Sequence, residues 1–326
     1  MGVVFCGMRE SFSTQPALFA SADFFDHPAL KALDGLEGVV DWSRLESLLP
    51  GGEDGKATGR PGYPALTLFR ALLLGQVYGL SDVQLEQGLA RDLLFRKFCH
   101  LELDRGVPDA TTLGRFRTKL GDRMDALFGE VVRALSAQNL ILAEGRIAIV
   151  DATVIEAARS GLRKSDPEAG SHVKVNSKGK VQAIWGWNAF VNADEDNFIH
   201  AVEVTPGNEA EVTSLPDLMT GGEVALYADK AYIGPNTRAL IAARGLADQV
   251  QRRGARGHPL TPEGHARNSE IGVTRAGVER IFAHLKHHWG LRRSPFMGRT
   301  KTTTWFTLGA ICWNLWQGAR FQHRYG

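Results

Sequence analysis

Two short apolar runs, each followed directly by an aspartate, limit what this chain can fold into more than any other feature. The first is Arg146-Ile-Ala-Ile-Val150 before Asp151, and the second is Val224-Ala-Leu-Tyr-Ala228 before Asp229. Runs of this length and composition predict buried strands. Open α/β sheets bind ligands at the carboxyl ends of their strands, so the two runs predict a shared site. One such aspartate alone would be weak evidence, because it often caps the next turn.

The chain from residue 146 to residue 326 has the pattern of an α/β domain. Further strands are predicted around residues 184–191 and 199–204, and polar segments at 160–180 and 253–270 predict loops, the first of them mobile. A helix is predicted from Pro235 or Thr237 to Ala243, with Gly245 ending it. A long amphipathic helix is predicted to begin near Thr274.

Residues 1–145 predict a small all-helical domain. Residues 1–60 look loosely organised, with glycines at 51, 52, 55 and 59. A helix is predicted from Tyr63 to Tyr78, a second after a capping box at Ser81-Asp-Val-Gln84, and a third after Asp109. Arg115 and Lys119 lie off the apolar stripe of the third helix. The domain is therefore predicted either to bind DNA or to serve as a packing or dimerisation module.

Charge is distributed unevenly along a chain whose net charge is only +2. Residues 1–251 carry more Asp and Glu than Lys and Arg, whereas residues 252–326 carry 13 Lys and Arg against 3 Asp and Glu. A tail this basic favours a polyanionic partner, nucleic acid first, although a solvated basic surface is the alternative.

Cysteine usage and hydropathy indicate a cytoplasmic protein without a membrane partner. The three cysteines are scattered and odd in number, which argues against a disulfide framework. The first ten residues are too weakly apolar for a signal peptide. The stretch from Thr302 to Ala319 carries no charge, yet its four threonines, Asn314 and Gln317 favour a buried helix over a membrane span.

A third carboxylate, Glu279, lies on the basic amphipathic helix. Three converging carboxylates would repel one another unless hard divalent cations were bound, and Mg²⁺ suits such oxygen ligands. Two ions can activate the attacking oxygen and stabilise the leaving one in phosphodiester chemistry. Arg275, Glu279 and Lys286 fall on one stripe of the helix, as expected where metal and phosphate meet. The alternative is an ordinary salt bridge between Arg275 and Glu279.

The chain resembles the DDE insertion-sequence transposases, of the group named after insertion sequence five. The resemblance runs from about Asp41-Trp42 to the end and rests on ordered motifs. These motifs are GRPGYPALTLFRALLLGQVYGLSDVQLE, VPDATTLGRFR, IVDATVIEAA, EVTPGN, LYADKAYIG and RAGVERIFAHLKHHWGLRR. In the last of them the R-x3-E-x6-K spacing of the family falls on Arg275, Glu279 and Lys286.

The resemblance implies an RNase H-like catalytic core that cuts and joins double-stranded DNA at inverted repeats, working as a homodimer. It implies two Mg²⁺ ions, replaceable by Mn²⁺, held by the catalytic residues Asp151, Asp229 and Glu279. Contacts to DNA phosphates are expected from Arg275, Lys286, Lys230, Arg292, Arg293, Arg115 and Lys119. Two positions depart from the family: Gly272 replaces a tyrosine, and Asn188 replaces the lysine of a GYK-like motif, which predicts a lost phosphate contact.

Other motifs favour plainer interpretations. His284, His287 and His288 form an HxxHH cluster, but no further ligand lies at zinc spacing, so a basic, DNA-facing surface is preferred. Trp185 and Trp187 alternate on a strand and predict core or sheet surface rather than base stacking. A haloacid dehalogenase-like phosphatase is disfavoured because Thr153 stands where its second acid belongs. A domesticated, non-catalytic DNA-binding protein derived from a transposase is the other alternative.

Overall fold

The computed structural model describes residues 27–50, 62–160, 164–175, 181–255 and 257–325. Most of the sequence predicted to be loosely organised, including the glycine-rich stretch 51–60, lies outside them. In the first half of the chain the structure forms short 3-10 helices at Pro28–Lys31, Asp34–Leu36 and Gly121–Arg123, and α-helices α1 (Trp42–Leu48), α2 (Ala65–Val77), α3 (Asp82–Arg91), α4 (Leu93–Phe98), α5 (Ala110–Leu120) and α6 (Met124–Ala137).

The predicted helix starts in this half are confirmed. The Ser81 hydroxyl accepts from the Gln84 N–H while the Gln84 side chain accepts from the Ser81 N–H, so the capping box opens α3. The Asp109 carboxylate accepts from the Thr112 N–H at 2.6 Å and opens α5. The apolar stripe predicted for the third helix, Leu113, Phe116, Leu120, Met124 and Leu127, belongs to two helices, because a 3-10 turn separates α5 from α6.

The described residues of the second half of the chain form eight strands, four α-helices and one 3-10 helix. They are β1 (Arg146–Glu156), β2 (Arg159–Ser160), β3 (Lys164–Ser165), β4 (Gly170–Val175), β5 (Val181–Ala193), β6 (Ile199–Pro206), α7 (Glu211–Leu218), β7 (Glu223–Ala228), a 3-10 helix at Lys230–Tyr232, α8 (Pro235–Arg244), β8 (Ala247–Val250), α9 (Pro262–His287) and α10 (Arg299–Tyr325). The α/β core of RNase H-like type preceded by a helical region is thereby confirmed.

A mixed sheet forms the centre of this half. The strand order is β4-β5-β1-β7-β8, with β6 also paired to β5; β2 and β3 form a separate small pair. Strands β4, β5, β6 and β1 pair antiparallel, whereas β1, β7 and β8 run parallel. The two predicted aspartate strands, β1 and β7, are therefore direct neighbours that run in the same direction.

Alternate side chains of β1 enter two different cores, as expected for a strand covered on both faces. Ala148 and Val150 pack with residues of α7 and α8. Ile149 and Ile155 pack on the other face, in a core shared with α9, α10 and the helices of the first half. Asp151 is two residues from Ile149 on β1, so its side chain lies on the same face of the sheet, which α9 covers.

Three sequence predictions about element bounds are wrong. Strand β1 does not end at Asp151 but continues to Glu156, because its second half pairs with β5. The segment predicted as a loop at 160–180 contains β4, which pairs with β5 from Gly170 to Val175. Helix α9 begins at Pro262 rather than near Thr274, with Thr261 accepting from the Gly264 N–H as its cap.

The uncharged stretch predicted as a buried helix forms most of α10 and is confirmed. Its apolar side chains Trp305, Phe306, Leu308, Ile311 and Leu315 are buried. Among the described residues, no helix has both the length and the apolar character needed to cross a bilayer.

Polar side chains of the two long helices bind strands β6 and β8 of the sheet. The Asn314 amide of α10 donates to the Ile199 carbonyl at 2.7 Å and accepts from the Ile199 N–H at 2.8 Å. Arg267 of α9 donates to the carbonyls of Val250 at 2.8 Å and Asp248 at 2.7 Å. Backbone groups of β6 and β8 are therefore satisfied by side chains where a further strand would otherwise pair.

The change from helices to strands coincides with the predicted domain boundary at residues 145 and 146. The core does not divide there, because α10 packs against α2, α5 and α6 as well as against β6. For example, Gly318 of α10 lies so close to Leu135 of α6 that an added Cβ would approach it to 2.9 Å. The division into 1–145 and 146–326 stays a prediction about independent folding.

Gly186 of β5 lies where two strands approach too closely for any side chain. A Cβ at this position would lie closer than 3.0 Å to the carbonyl oxygen of Ile155 on β1. Gly129, by contrast, is an exposed residue inside α6, and an added Cβ would meet no atom within 4 Å.

We expect these two glycines to respond oppositely to the same substitution. Gly186→Ala should lower the free energy of unfolding by about 1–3 kcal/mol, because backbone atoms must move apart. Gly129→Ala should raise it by about 0.5–1 kcal/mol, because glycine is a poor helix former. Chemical denaturation of both variants measures the difference. Equal effects of the two substitutions would contradict the close approach at Gly186.

Candidate active site

Asp151 and Asp229 lie side by side at the carboxyl end of the parallel strand pair. The register pairs Ile149 of β1 with Tyr227 of β7, and each aspartate follows two residues later. Neighbouring strands are separated by about 4.8 Å, so the two carboxylates emerge close together. The structure therefore brings these two predicted site residues to one place.

Arg275 of α9 binds Asp151 directly. Its Nη2 donates to Asp151 Oδ2 at 2.9 Å, and Ala152 N–H donates to Asp151 Oδ1 at 2.9 Å. Arg275 is a buried residue with 8% of its surface exposed. Its Nη1 also lies 3.5 Å from Gln251 Oε1. The local salt bridge between Arg275 and Glu279 considered from the sequence is not formed, because the guanidinium points into the sheet.

The surroundings of Asp151 oppose its negative charge in part. Burial raises the pKa of the Asp151 carboxyl above its ordinary value, and the negative charge of Asp229 adds to the increase. The Arg275 guanidinium and the Ala152 N–H lower the same pKa. Two carboxylates held together in a partly dry site are stabilised by positive charge, whether from a side chain or from a bound ion.

Asp229 is oriented by the turn that follows β7. Its Oδ1 accepts from the Ala231 N–H at 2.6 Å, so the carboxylate caps the short 3-10 helix Lys230–Tyr232. Asp229 is half-buried, whereas Lys230 beside it is exposed. One oxygen of Asp229 therefore has the capping role that a strand-end aspartate often has. The carboxylate still lies at the edge of the sheet that it shares with Asp151.

Glu279 lies one helical turn beyond Arg275 on α9 and is exposed. Among the residues that the structure describes, no three His, Cys, Asp or Glu side chains come together as a metal-binding group. The role of Glu279 as third ligand stays a prediction.

The chemistry of the two aspartates fits a hard divalent cation. Both are carboxylates, they share one edge of the sheet, and the negative charge of Asp229 raises the pKa of Asp151. Oxygen ligands of this kind are what Mg²⁺ prefers. Asp151 and Asp229 would hold such an ion, and Glu279 would have to approach them from α9.

The predicted phosphate-binding residues are spread over several elements. Lys286 of α9 is half-buried. Arg292 and Arg293 follow α9, and both form ion pairs with Glu156 at the end of β1. Arg115 and Lys119 are exposed on α5. Their contacts with DNA phosphates stay predictions.

Gln251 was missed from the sequence although it lies at the site. It follows β8, the next parallel strand after β7, and its N–H donates to the Ala228 carbonyl at 3.0 Å. Its side chain contacts Arg275 and donates to the Asn268 carbonyl at 3.1 Å. The signal was the short run Ala247–Val250, a third strand that is followed directly by a polar residue at the same edge.

The two departures from the family pattern have different structural settings. A Cβ at Gly272 would lie 3.8 Å from Gln251 Nε2, so a side chain there would have space beside the site. Asn188 is buried in β5, where its Nδ2 donates to the carbonyls of Gly207 and Glu209. Its Oδ1 lies 3.2 Å from His172 Nδ1. The Asn188 side chain therefore binds neighbouring segments of the protein. The loss of a phosphate contact at this position stays a prediction.

The histidine cluster contributes to an aromatic cluster rather than to a metal site within the described residues. The His284 ring lies 5.0 Å from Trp316 and 4.8 Å from Trp289 between ring centroids. Burial lowers the pKa of His284 below its ordinary value, and the positive charges of His288 and Arg320 lower it further. Only His287 and His288 of the three histidines are exposed, so the predicted basic surface excludes His284.

The two strand tryptophans differ in exposure. Trp187 is fully buried, as predicted for a core residue. Trp185 is 45% exposed and donates through Nε1 to the Asp166 carbonyl at 2.9 Å, as a residue on the sheet surface.

Comparison with known proteins gives two family matches in chain order. Residues 24–119 match the family described as "Transposase domain (DUF772)", and residues 142–315 match the "Transposase DDE domain". A solved structure, "Crystal structure of the Mos1 Strand Transfer Complex", is 13% identical over 83% of this chain and 82% of its own, with a TM-score of 0.20. That likeness is too weak to support any conclusion.

The DDE match covers more than half of the chain and contains Asp151, Asp229 and Glu279. The chain therefore belongs to the family of transposases with a DDE domain.

Proposed function

We propose that this transposase cuts DNA strands at terminal inverted repeats and joins them to target DNA at the site built on Asp151 and Asp229. The observation that carries the proposal is their placement at equivalent positions of two neighbouring parallel strands. A phosphodiester that reaches this edge would meet two carboxylates on one side and the basic surface of α9 on the other. A protein that only binds DNA needs no such pair of adjacent carboxylates.

Two Mg²⁺ ions, with Mn²⁺ able to replace them, are the proposed cofactors of this site. Bound divalent ions would supply activation of the attacking oxygen and stabilisation of the leaving one. Asp151 and Asp229 would hold them from the sheet, and Glu279 would complete the ligand set from α9. Both aspartates are oriented by backbone N–H groups, which fixes their carboxylates before any ion binds.

The cationic residues around the site have proposed roles as phosphate contacts. Arg275 has a planar fork of donors suited to two phosphate oxygens, and Lys286 lies farther along α9. Arg292 and Arg293 follow α9 beside Glu156, and each could exchange that carboxylate for a phosphate. Together they would fix the scissile strand relative to the carboxylates.

The proposed partner is double-stranded DNA, both the ends of the mobile element and the target, bound by a homodimer. The basic segment 252–326 supports this partner, because its Lys and Arg outnumber its acids by ten. We propose that the protein acts on chromosomal or plasmid DNA in the bacterial cytoplasm. A domesticated protein that binds DNA without cutting it remains the alternative that the first experiment below separates.

Removal of any proposed metal ligand should abolish cleavage without loss of DNA binding. For Asp151→Asn, Asp229→Asn and Glu279→Gln we expect nicking of an end fragment in Mg²⁺ to fall by more than roughly a hundredfold, because even outer-shell changes at metal sites cost 10–100-fold. Each amide keeps the side-chain shape and removes a charge that repels phosphate. Gel-shift affinity should therefore stay constant or increase.

The matched control is Glu263→Gln, which changes an exposed acid in the first turn of the same helix. It should cleave like the parent protein. If Glu279→Gln also cleaves like the parent, Glu279 is not the third ligand, and Glu270 becomes the acid to test. If the parent protein binds but never cleaves, even with Mn²⁺, the non-catalytic alternative is correct.

DNA binding should weaken steeply with salt, because each neutralised phosphate releases counterions. We expect the double variant Arg292→Gln/Arg293→Gln to reduce the slope of log affinity against log salt by about two. Arg238→Gln is the control, since Arg238 is exposed on α8 and α8 packs on the opposite face of the sheet from α9. If the slope changes equally in the double variant and in Arg238→Gln, Arg292 and Arg293 do not contact DNA phosphates.

A further inference from the structure

Both oxygens of the Asp151 carboxylate have donors. Oδ1 accepts from the Ala152 N–H and Oδ2 accepts from Arg275 Nη2, each at 2.9 Å. The first donor belongs to the backbone of β1 and is fixed by the sheet. The second belongs to a side chain and can move. A cation that binds Asp151 must therefore share the carboxylate with the Arg275 guanidinium or displace it.

We propose that Arg275 is a built-in competitor for metal binding, holding Asp151 until the guanidinium is drawn away. The inference rests on the proposed function, because it assumes that Asp151 is a metal ligand. Arginine is suited to compete with a cation because its guanidinium stays positively charged at any physiological pH. Arg275 and a divalent ion repel each other, and in a partly buried site this repulsion is weakly screened.

The hydrogen bonds of Arg275 leave it free to change partners. Its Nη2 is bound to Asp151 at 2.9 Å, but its Nη1 lies 3.5 Å from Gln251 Oε1, at the limit of a hydrogen bond. Its Nε is buried and has no hydrogen-bond partner among the described residues. The guanidinium is thus incompletely satisfied where it lies. A phosphate that accepts from two of its donors would satisfy it better.

The exchange needs movement of a side chain only. Helix α9 runs without interruption from Pro262 to His287, and Arg275 lies near its middle. Gly277, two residues on, packs against the turn that contains Asn197, where an added Cβ would lie closer than 3.0 Å to the Asn197 side chain. The helix backbone is therefore held against this turn, so the proposed exchange is a rotation of the Arg275 side chain alone.

The consequence is a low metal affinity in the DNA-free protein. Binding free energies are reciprocal. If bound metal raises the affinity of the protein for a phosphate by releasing Arg275, then a bound phosphate raises the affinity of the site for metal by the same factor. The phosphate proposed as the other partner of Arg275 would do so only when DNA is in place.

The test is a titration of the full-length, DNA-free protein with Mn²⁺, in which electron paramagnetic resonance measures the free ion. Arg275→Gln should bind Mn²⁺ at least roughly tenfold more tightly than the parent, about 1.4 kcal/mol. Arg280→Gln is the matched control, because it removes the same charge from an exposed position on the same helix. It should change the affinity by less than roughly twofold, since exposed charges are screened.

Two further variants separate the possible failures. Arg275→Lys keeps the charge but loses the planar fork, so it should bind Mn²⁺ with an affinity between those of the parent and Arg275→Gln, and it serves as the test if Arg275→Gln does not fold. Asp151→Asn should abolish Mn²⁺ binding at this site, both alone and in combination with Arg275→Gln.

If Asp151→Asn abolishes binding while Arg275→Gln and Arg275→Lys bind like the parent, the competition is wrong and the metal site stands. If Asp151→Asn leaves Mn²⁺ binding unchanged, the proposed function itself is wrong.

Discussion

The burial of helix α10 is the constraint on which the arrangement of the whole molecule depends. One side of α10 packs against α2, α5 and α6, and another packs against β6. From Thr302 to Ala319 it carries no charged side chain, because a charge here would lose its water without gaining a partner. The buried amide that it carries at Asn314 is hydrogen-bonded on both sides, to the backbone N–H and carbonyl of Ile199. The helical half and the sheet therefore share one core.

Helix α9 is placed by the same core and in turn builds the site. Its residues Val278, Ile281 and Leu285 are buried on the α10 side of the sheet. This packing sets the rotation of the helix, which turns Arg275 toward Asp151 and leaves Glu279 exposed. The charged site is thus positioned by apolar contacts one to three turns away, and the ion pair itself is a consequence of that packing.

Local signals made much of this fold predictable from the sequence. The Ser81 capping box, the Gly245 stop with its φ of 64° and the aspartate after β7 each act within a few residues. The start of α9 also had a local signal, since Thr261 and Pro262 are typical of a helix N-terminus, but the polar composition obscured it. The Arg275–Asp151 contact had none, because the two residues are 124 positions apart and meet only through the packing of α9. Strand β4 was missed for a similar reason, since its pairing with β5 is what makes it a strand.

Side-chain hydrogen bonds at strands β6 and β8 have a consequence for assembly. Asn314 takes both backbone groups of Ile199 on β6, and Arg267 takes the carbonyls of Val250 and Asp248 on β8. A second copy could not add a strand at these positions without first removing a buried amide or a guanidinium from its partners. Edge-to-edge growth of the sheet, which is the usual route by which exposed strands lead to aggregation, is therefore opposed at these positions of β6 and β8.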